Sequence, residues 1–515
     1  MMNRTMQANK HRKKPGKIRL ISVLLSCILL IGLATPVLGA EIDAETEEAI
    51  RTLIAEEYYL VLDEVVDVKN DDLFVVLAAL DTYSEYLTRE AYESFDDNVE
   101  GAFGGIGVQI TTTDRGVVAE GVLPDSPAEK AGIKIGDLFV SVDGVDIRDL
   151  VQKDLVALLR GEPGSSVVVG MEREGETEEL LFVLTREIID ISGKTVTLSE
   201  DGVAYFAFNT FSSDTGGWFL GNLIKLEREG MKGVVLDLRS NPGGRLTAAL
   251  GMSSAILENG ETLAKIYSQD ELVNQYHSTT KGFHIPVVML GNHNSASASE
   301  FVMVALKDNQ KGLLVGETTY GKGVIQTAFI LPNNDVLKLT TAEYKGPADT
   351  PIQGVGIVPD YPVADVPELE GEEVFDEQLA AAMSLVRQQI RYWGPKELTF
   401  LSESKEAYVG LEGQMMEQAT RIMEGTFYVP LRDAANLLNL DVQFADGQIQ
   451  VQGFEKELTF TPFSRIVVGK EQTVEMPKPL IMEQGRTYVP LRSLGEMLGY
   501  HVLYDAATKE VSIQK

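Results

Sequence analysis

A serine and a lysine in this chain have the spacing of a nucleophile and its base. Ser297 lies in Asn294-Ser-Ala-Ser-Ala-Ser-Glu300, and Lys322 follows it by twenty-five residues in Tyr320-Gly-Lys-Gly-Val-Ile-Gln326. A serine hydroxyl attacks a carbonyl well only when a nearby base takes its proton. A lysine amine is such a base when burial or a cationic neighbour keeps it neutral. The pair therefore predicts acyl-transfer chemistry without a histidine.

The flanking residues indicate how this pair is positioned. The apolar run 301–306 predicts a helix after Ser297, which places the backbone N–H of Ala298 at a helix N-terminus, facing an oxyanion. Glycines on both sides of Lys322 allow a close turn. If a strand follows, its period of two puts Lys322 and Gln326 on one face, so that Gln326 could hold the amine.

Other assignments of the same residues stay open. A serine in an Ala/Ser run is commonly a helix cap, and Ser295 and Ser299 are alternative nucleophiles. His293 precedes Ser297 by four residues, but no Asp-bearing signature supports a Ser-His site. We interpret Glu300 and Asp237 as structural hydrogen-bond partners.

The residue inventory excludes several other chemistries. The only cysteine is Cys27, so the chain after it has no thiol nucleophile or thiolate metal site. The five histidines form no pair at metal-ligand spacing, and no nucleotide-binding loop is present. We therefore expect neither a metal nor a cofactor.

These residues resemble those of the carboxyl-terminal processing peptidases, also called tail-specific proteases. The resemblance extends to four further stretches, namely Leu80-Asp-Thr-Tyr-Ser-Glu-Tyr-Leu87, Val234-Val-Leu-Asp-Leu-Arg-Ser-Asn-Pro-Gly-Gly244, Leu337-Lys-Leu-Thr-Thr-Ala342 and Ile352-Gln-Gly-Val-Gly-Ile-Val-Pro-Asp360. It implies Ser297 as nucleophile, Lys322 as base and Gln326 as third member of the site. It also implies that Gly243 donates the second oxyanion-hole N–H beside Ala298. The stretch 343–349 departs from the family pattern.

Residues 100–187 resemble the PDZ domain inserted in these proteases. An exposed loop of small residues before a strand binds a peptide carboxylate through its N–H groups, while the peptide adds to the sheet edge. We predict that this loop consists of Gly104, Gly105, Ile106, Gly107 and Val108. An apolar pocket beside the helix 150–159 favours substrates with apolar ends. Arg160 either couples peptide binding to the protease body or is a solvated helix-end residue.

The charge distribution points to a compartment outside the cytoplasm. Seven basic and no acidic residues precede an uncharged run over 20–40, which predicts residues 1–40 as a signal peptide or membrane anchor. Without them the net charge changes from −32 to −39, which excludes nucleic acid as a partner. We expect an extracytoplasmic bacterial protein, secreted or membrane-anchored, from a Gram-positive organism.

The remaining pattern predicts a multidomain α/β (α+β) protein. We expect a helical segment over 41–99, which pairs subunits in the similar family, and a protease core of mixed sheet and helices over 188–365. Residues 366–395 predict an acidic linker and a helix.

The C-terminal segment, 396–515, contains an internal repeat. Phe427-Tyr-Val-Pro-Leu-Arg432 recurs sixty residues later as Thr487-Tyr-Val-Pro-Leu-Arg492, and each copy predicts strand, helix and strand. The segment resembles the copper amine oxidase N-terminal-like domain. It holds one histidine, His501, and no cysteine, so a copper site with several imidazole ligands cannot form within it. We interpret it as a cell-envelope interaction module or a stabilising appendage.

Together the patterns predict a serine endopeptidase that recognises free, unstructured, apolar C-termini of proteins or peptides. The alternative is a catalytically weak PDZ protein that serves as an envelope scaffold. A homodimer and a cell-envelope association are the partners expected besides substrate.

Overall fold

The core of the molecule is a six-stranded sheet, in which only the first strand along the chain is antiparallel to its neighbour. The order is β10 (Thr195–Leu198), β11 (Val203–Ala207), β12 (Gly233–Asp237), β15 (Val287–Gly291), β16 (Gly312–Gly316) and β19 (Tyr361–Pro362). The structure is a computed structural model that describes residues 42–514 except 61, 63–65, 365–374, 396, 410–411, 455, 471 and 507. The apolar run over 20–40 lies outside the described residues. None of the helices within them is long and apolar enough to cross a membrane.

The elements of the core alternate between strand and helix. They are β10 (Thr195–Leu198), β11 (Val203–Ala207), α6 (Thr215–Arg228), β12 (Gly233–Asp237), α7 (Leu246–Ile256), β13 (Thr262–Ser268), β14 (Glu271–His277), β15 (Val287–Gly291), α8 (Ala298–Asp308), β16 (Gly312–Gly316), β17 (Val324–Ile330), β18 (Val336–Lys345), β19 (Tyr361–Pro362) and α9 (Glu377–Tyr392). This arrangement of strands and helices agrees with the α/β core that the sequence predicts.

Helices cover both faces of this sheet. Phe219 of α6, Met252 of α7 and Phe301 of α8 pack on one face, and Val386 of α9 packs on the other. Every residue of β12 and β15 is buried, as expected for parallel strands between helical layers. The loops at the carboxyl ends of β12 and β15 therefore meet at one edge of a rigid layer.

The N-terminal segment contains α1 (Ala44–Glu57), α2 (Leu73–Ala78), β1 (Glu85–Leu87) and α3 (Arg89–Glu100). Within the predicted helical segment, α1 ends at Glu57, and two residues later Tyr59 N donates to Thr340 O at 2.9 Å. The segment is not purely helical. β1 pairs with β18 in a second sheet, which has the order β1-β18-β13-β14. β17 joins this sheet by pairing with β18.

The PDZ segment contains β2 (Ala102–Gly105), β3 (Val108–Thr113), β4 (Gly116–Val122), α4 (Pro127–Ala131), β5 (Leu138–Val142), β6 (Val145–Asp146), α5 (Gln152–Leu159), β7 (Ser166–Glu172), β8 (Leu180–Thr185) and β9 (Glu187–Asp190). β3, β4, β5, β7 and β8 form a sheet around a core that includes Phe139 and Leu155. β2 and β9 pair where the chain enters and leaves the segment.

The C-terminal segment contains, in its first repeat, β20 (Glu397–Leu401), β21 (Glu406–Val409), β22 (Glu412–Met415), β23 (Arg421–Met423), β24 (Thr426–Pro430), α10 (Leu431–Leu437), β25 (Asp441–Ala445) and β26 (Gln448–Gln452). The second repeat contains β27 (Glu457–Phe460), β28 (Ile466–Gly469), β29 (Thr473–Glu475), β30 (Ile481–Glu483), β31 (Arg486–Pro490), α11 (Leu491–Met497), β32 (His501–Asp505) and β33 (Glu510–Gln514).

The two repeats exchange strands. β25 and β26 of the first repeat continue into β27-β28-β29 of the second, whereas β32 and β33 of the second return to β20-β21-β22 of the first. A third sheet pairs β24 with β31 across the repeats. Each five-stranded sheet therefore contains strands of both repeats.

Candidate active site

Ser297 caps α8 with an unusual backbone conformation. Its φ is +54° and its ψ is −113°, a region that a residue with a Cβ rarely adopts. Ser295 and Ser299 are fully buried, and their hydroxyls donate to Leu238 O at 2.8 Å and Asn241 O at 2.9 Å. The half-buried Ser297 hydroxyl donates to no residue that the structure describes. Of the three serines in this run, it alone has a hydroxyl available for chemistry.

The glycine turn after β12 lies directly against Ser297. A Cβ added to Gly243, whose φ is +103°, would lie 2.8 Å from each of three atoms, Ala296 O, Ala298 N and Ser297 Cβ. A further contact fixes the turn, because Ala296 N donates to Asn241 O at 3.1 Å. Only glycine allows the two loops to approach this closely.

Two backbone N–H groups at this junction make no hydrogen bond within the described part of the chain. One belongs to Ala298, the first residue of α8, and the other belongs to Gly244. Gly243 differs from the expectation, since its N–H donates to Asn241 Oδ1 at 2.9 Å. The Gly243 carbonyl accepts from Phe211 N at 2.8 Å. Because a trans peptide points its N–H opposite to its C=O, the second free N–H, that of Gly244, points away from Phe211.

Lys322 lies in the loop before β17 with its side chain half-buried. Its ammonium lies 4.8 Å from the centre of the Tyr83 ring. Burial, and secondarily the positive charge of Lys338, lower the pKa of Lys322 to about 8, against the opposing effect of nearby carboxylates. A group with this pKa is partly neutral near neutral pH, as a general base requires.

The structure does not join Lys322 to Gln326. Among the described residues, the Lys322 amine makes no hydrogen bond to Gln326 or to Ser297. The Gln326 amide donates to Thr340 Oγ1 at 3.3 Å, and a register shift between Ile325 and Gln326 interrupts the alternation on which the prediction depended. The role of Gln326 therefore stays a prediction.

Glu300 holds the serine and lysine segments together. One oxygen of this fully buried carboxylate accepts from Ser297 N at 2.9 Å and from Lys322 N at 2.8 Å. The other accepts from Gly321 N at 2.7 Å and Thr319 Oγ1 at 2.5 Å. Burial raises the pKa of Glu300, against these four donors. The interpretation of Glu300 as a structural hydrogen-bond partner agrees with these contacts.

Two tyrosines of the site were missed from the sequence. The Tyr344 hydroxyl lies 2.8 Å from Ser297 O and 3.0 Å from Lys322 O, so its proton is shared between the two segments. Tyr344 belongs to the stretch 343–349 that departs from the family pattern. Tyr83 belongs to the early motif 80–87, which had no assigned role. That motif, which matched the family without an assigned chemistry, was the available signal for Tyr83.

The predicted carboxylate-binding loop spans the end of β2, a turn and the start of β3. Its residues in chain order are Gly104, Gly105, Ile106, Gly107 and Val108. The carbonyls of the two turn residues accept from Ala128 N and Leu123 N at 2.9 Å each, which fixes the turn. The N–H groups of Ile106 and Gly107 donate to no described residue. The turn thus presents two adjacent free donors.

Arg160 points towards α3. Its guanidinium lies 4.1 Å from the centre of the Phe103 ring and donates to Asn98 Oδ1 at 2.9 Å. Burial lowers the pKa of Arg160. Two other residues of α3, Asp96 and Glu100, pair with Arg245 at 2.6 and 2.8 Å, directly after the glycine turn.

The contacts of Asp237 agree with its interpretation as a structural hydrogen-bond partner. It accepts from Tyr205 Oη at 2.9 Å and pairs with Arg239, which in turn binds Asp376 at the start of α9.

Family models match three parts of the chain. They are peptidase family S41 over residues 202–363, a PDZ domain over 118–173 and the copper amine oxidase N-terminal domain over 408–513. In the last region no described residues form a group of three or more His, Cys, Asp or Glu side chains able to hold a metal. Its residues therefore do not fit a copper site.

The chain is similar to curated proteases over more than half of its length. A probable CtpA-like serine protease of Staphylococcus haemolyticus is 33% identical over 288 residues, which cover 55% of this chain and 57% of that protein. A carboxyl-terminal-processing protease of Picosynechococcus is 34% identical over 323 residues, 61% of this chain and 78% of the relative. A carboxy-terminal-processing protease of Bartonella bacilliformis is 32% identical over a region that covers 56% of this chain and 68% of that protein.

Among solved structures, the photosystem II D1 C-terminal processing protease aligns with 63% of this chain and 94% of its own, at 26% identity and a TM-score of 0.41. The sequence matches are sufficient to assign the family. The chain belongs to peptidase family S41, together with the carboxyl-terminal-processing proteases, and is a serine-type peptidase with a PDZ domain.

Proposed function

We propose that the protein is a serine endopeptidase in which Ser297 is the nucleophile and Lys322 the general base. The observation that carries this proposal is the Glu300 carboxylate, which bonds the backbone N–H of both residues through one oxygen. A buried carboxylate with these partners fixes the two segments side by side. The Ser297 hydroxyl, which donates to no described residue, and the lowered pKa of Lys322 supply the chemistry.

The reaction would proceed by acyl transfer. Neutral Lys322 takes the proton as Ser297 Oγ attacks the peptide carbonyl, and the oxyanion faces the Ala298 N–H. The lysine ammonium then gives this proton to the leaving amine, and water hydrolyses the acyl-enzyme. Gly244 is the second oxyanion donor that this conformation favours, whereas Gly243 would serve only after Asn241 releases its N–H. Gln326 would orient the amine after it turns towards Ser297.

The conformation described here corresponds to a resting enzyme. The Lys322 amine contacts Tyr83 rather than Ser297, and the Gly243 N–H is occupied. We propose that Arg160 couples the PDZ domain to this site through α3, because the same helix contacts Arg160 on one side and Arg245 on the other. A shift of α3 would move the glycine turn.

Incubation with a denatured protein tests the catalytic proposal. The wild type should cleave it to discrete products, and Ser297→Ala should not, although the variant should still retain the substrate on a column. A catalytically weak scaffold would bind equally in both forms and release no fragments from either. Fragments of equal amount from wild type and Ser297→Ala would contradict the proposal.

We further propose that the PDZ domain selects substrates with a free, unstructured, apolar C-terminus. The supporting observation is the pair of unbonded N–H groups at Ile106 and Gly107, which suit a carboxylate. Amidating a substrate's C-terminus removes the charge and should slow cleavage several-fold through KM. A free-acid peptide of the same tail should compete with an unmodified substrate, and its amide should not. Equal kinetics for the two substrates would place selection elsewhere.

The site of action and the assembly are also proposals. The basic N-terminus and apolar run over 20–40 support an extracytoplasmic protein, and the curated relatives named above are bacterial. Fractionation of the cells tests this location. A dimer formed through the N-terminal segment, and an envelope contact through residues 396–515, are tested by light scattering and by co-sedimentation with cell walls.

A further inference from the structure

The turn that carries Tyr83 belongs to the N-terminal segment but is fixed to the protease core. Asp81 Oδ1 accepts from Tyr83 N at 2.6 Å and from Ser84 N at 3.0 Å. The Ser84 hydroxyl accepts from Thr340 N at 2.9 Å, and β1 directly after it pairs with β18. The position of the Tyr83 ring is therefore set by the same sheet that carries β17.

The Tyr83 ring offers the ammonium its π-face and no charge. Burial, with a hydrogen bond to Tyr320, raises the pKa of Tyr83 to about 12, so the phenol stays neutral wherever the enzyme works. The distance of 4.8 Å from Lys322 Nζ to the ring centre lies within the range of cation–π attraction. This attraction applies only to the protonated amine, because a neutral amine lacks the charge.

Four charged groups also act on Lys322, and they lie on β18, on α8 and on either side of Tyr83 in the motif 80–87. Lys338 on β18 opposes the ammonium, while Asp81, Glu85 and Glu300 favour it. Glu85 pairs with Lys338, which ties these two opposing charges to each other. None of the four supplies a hydrogen bond to the amine within the described residues. Within the described part of the chain, the amine makes no hydrogen bond or ion pair, and its contact is with the ring.

We propose that Tyr83 is a positioning residue for Lys322, and that the turn 81–84 forms the lysine side of the active site. The ring face holds the ammonium, and with it the proton, in a fixed place until substrate arrives. This inference rests on the proposed role of Lys322 as base. It gives the N-terminal segment a part in catalysis in addition to any pairing of subunits.

This role is tested by substitutions that distinguish the effect of the aromatic ring from the effects of the hydroxyl group and of side-chain volume. Tyr83→Leu keeps an apolar group beside the amine but removes the π-face, so protonated Lys322 loses a partner. The midpoint of the acid limb of kcat/KM should move down by roughly 0.5 to 1 pH unit. Tyr83→Phe keeps the ring and should retain the wild-type midpoint. If Tyr83→Leu does not fold, Tyr83→Met takes its place in the comparison, because methionine is a flexible side chain similar in size to leucine.

A neighbouring tyrosine supplies the matched control. Tyr86 lies in the same motif and bonds Asp335, away from Lys322. Tyr86→Leu should lower Tm without moving the midpoint. The inference fails if Tyr83→Leu and Tyr83→Met both keep the wild-type midpoint, or if Tyr83→Phe moves as far as they do. A wild type with no acid limb at all would instead refute Lys322 as the base, so the two failures are distinguishable.

Discussion

The serine and lysine halves of the site are held in different ways. The fold fixes Ser297 through its backbone, because its φ of +54°, the close contact with Gly243 and the bond to Glu300 leave it one position. Lys322 has an equally fixed backbone, but its amine makes only the ring contact with Tyr83 among the described residues. The nucleophile is preset, whereas the base can move. Control of activity should therefore act on the lysine and on the glycine turn.

Removal of either functional group gives the largest expected effect. Ser297→Ala and Lys322→Ala should each reduce kcat by at least about three orders of magnitude, because the nucleophile and the base act as a unit. Cleavage of a disordered protein measures the loss, and circular dichroism checks the fold. Ser299→Ala is the matched control, since its hydroxyl donates to Asn241 O and, among the described residues, makes no contact with Lys322, and it should remain within about tenfold of wild type. If Ser299→Ala were inactive and Ser297→Ala remained active, the nucleophile would be Ser299 and not Ser297.

The second largest effect is expected from a methyl group at the glycine turn, which should disturb the serine half of the site. Gly243→Ala places a Cβ 2.8 Å from Ser297 Cβ and from the Ala298 nitrogen, so the two loops must separate. We expect kcat to fall about a hundredfold. Gly251→Ala in α7, where the nearest contact would be 3.5 Å, should retain activity. Equal kinetics for Gly243→Ala and wild type would show that this contact does not position the serine.

The pH dependence reports on the movable half. Only the neutral amine is a base, so kcat/KM should fall as pH drops through the pKa of Lys322, which is about 8. Below this value the loss should approach tenfold per pH unit, and above it the rate should level off. Rates from about pH 6 to about 9.5 on a substrate without titratable groups near the bond measure this limb. A flat profile would mean that a different group takes the proton.

The smallest effect is expected far from both halves. Removing residues 396–515 should leave cleavage of a small unfolded substrate within about twofold of wild type, because the described contacts of the Ser297 and Lys322 segments involve none of these residues. Addition of EDTA should likewise leave the rate unchanged. A truncated enzyme that is folded but inactive would make the C-terminal segment part of the catalytic machinery.

The sequence was sufficient for the elements of the core and for the two segments of the site. Apolar runs such as 234–238 predict buried strands, and the loops after parallel strands must meet at one edge. The direction of the Lys322 side chain could not be predicted, because it depends on Tyr83, which is distant in sequence. The contact between Asn241 and Gly243 was equally hidden, since it depends on the rotamer of one side chain. The predicted alternation of side chains between the two faces of the strand also failed at Gln326, because a bulge shifts the register of β17 there.

The strand exchange in the C-terminal segment has a consequence for the order in which the chain can fold. The sheet β25 to β29 is continuous in sequence and can form as soon as residue 475 has been synthesised. The other sheet joins β20 to β33, so its first three strands keep an exposed edge until residue 514 has been synthesised. A chain cut before β33 should therefore leave this sheet without the strand that covers that edge. Strand β33 is thus a condition for assembling the whole module.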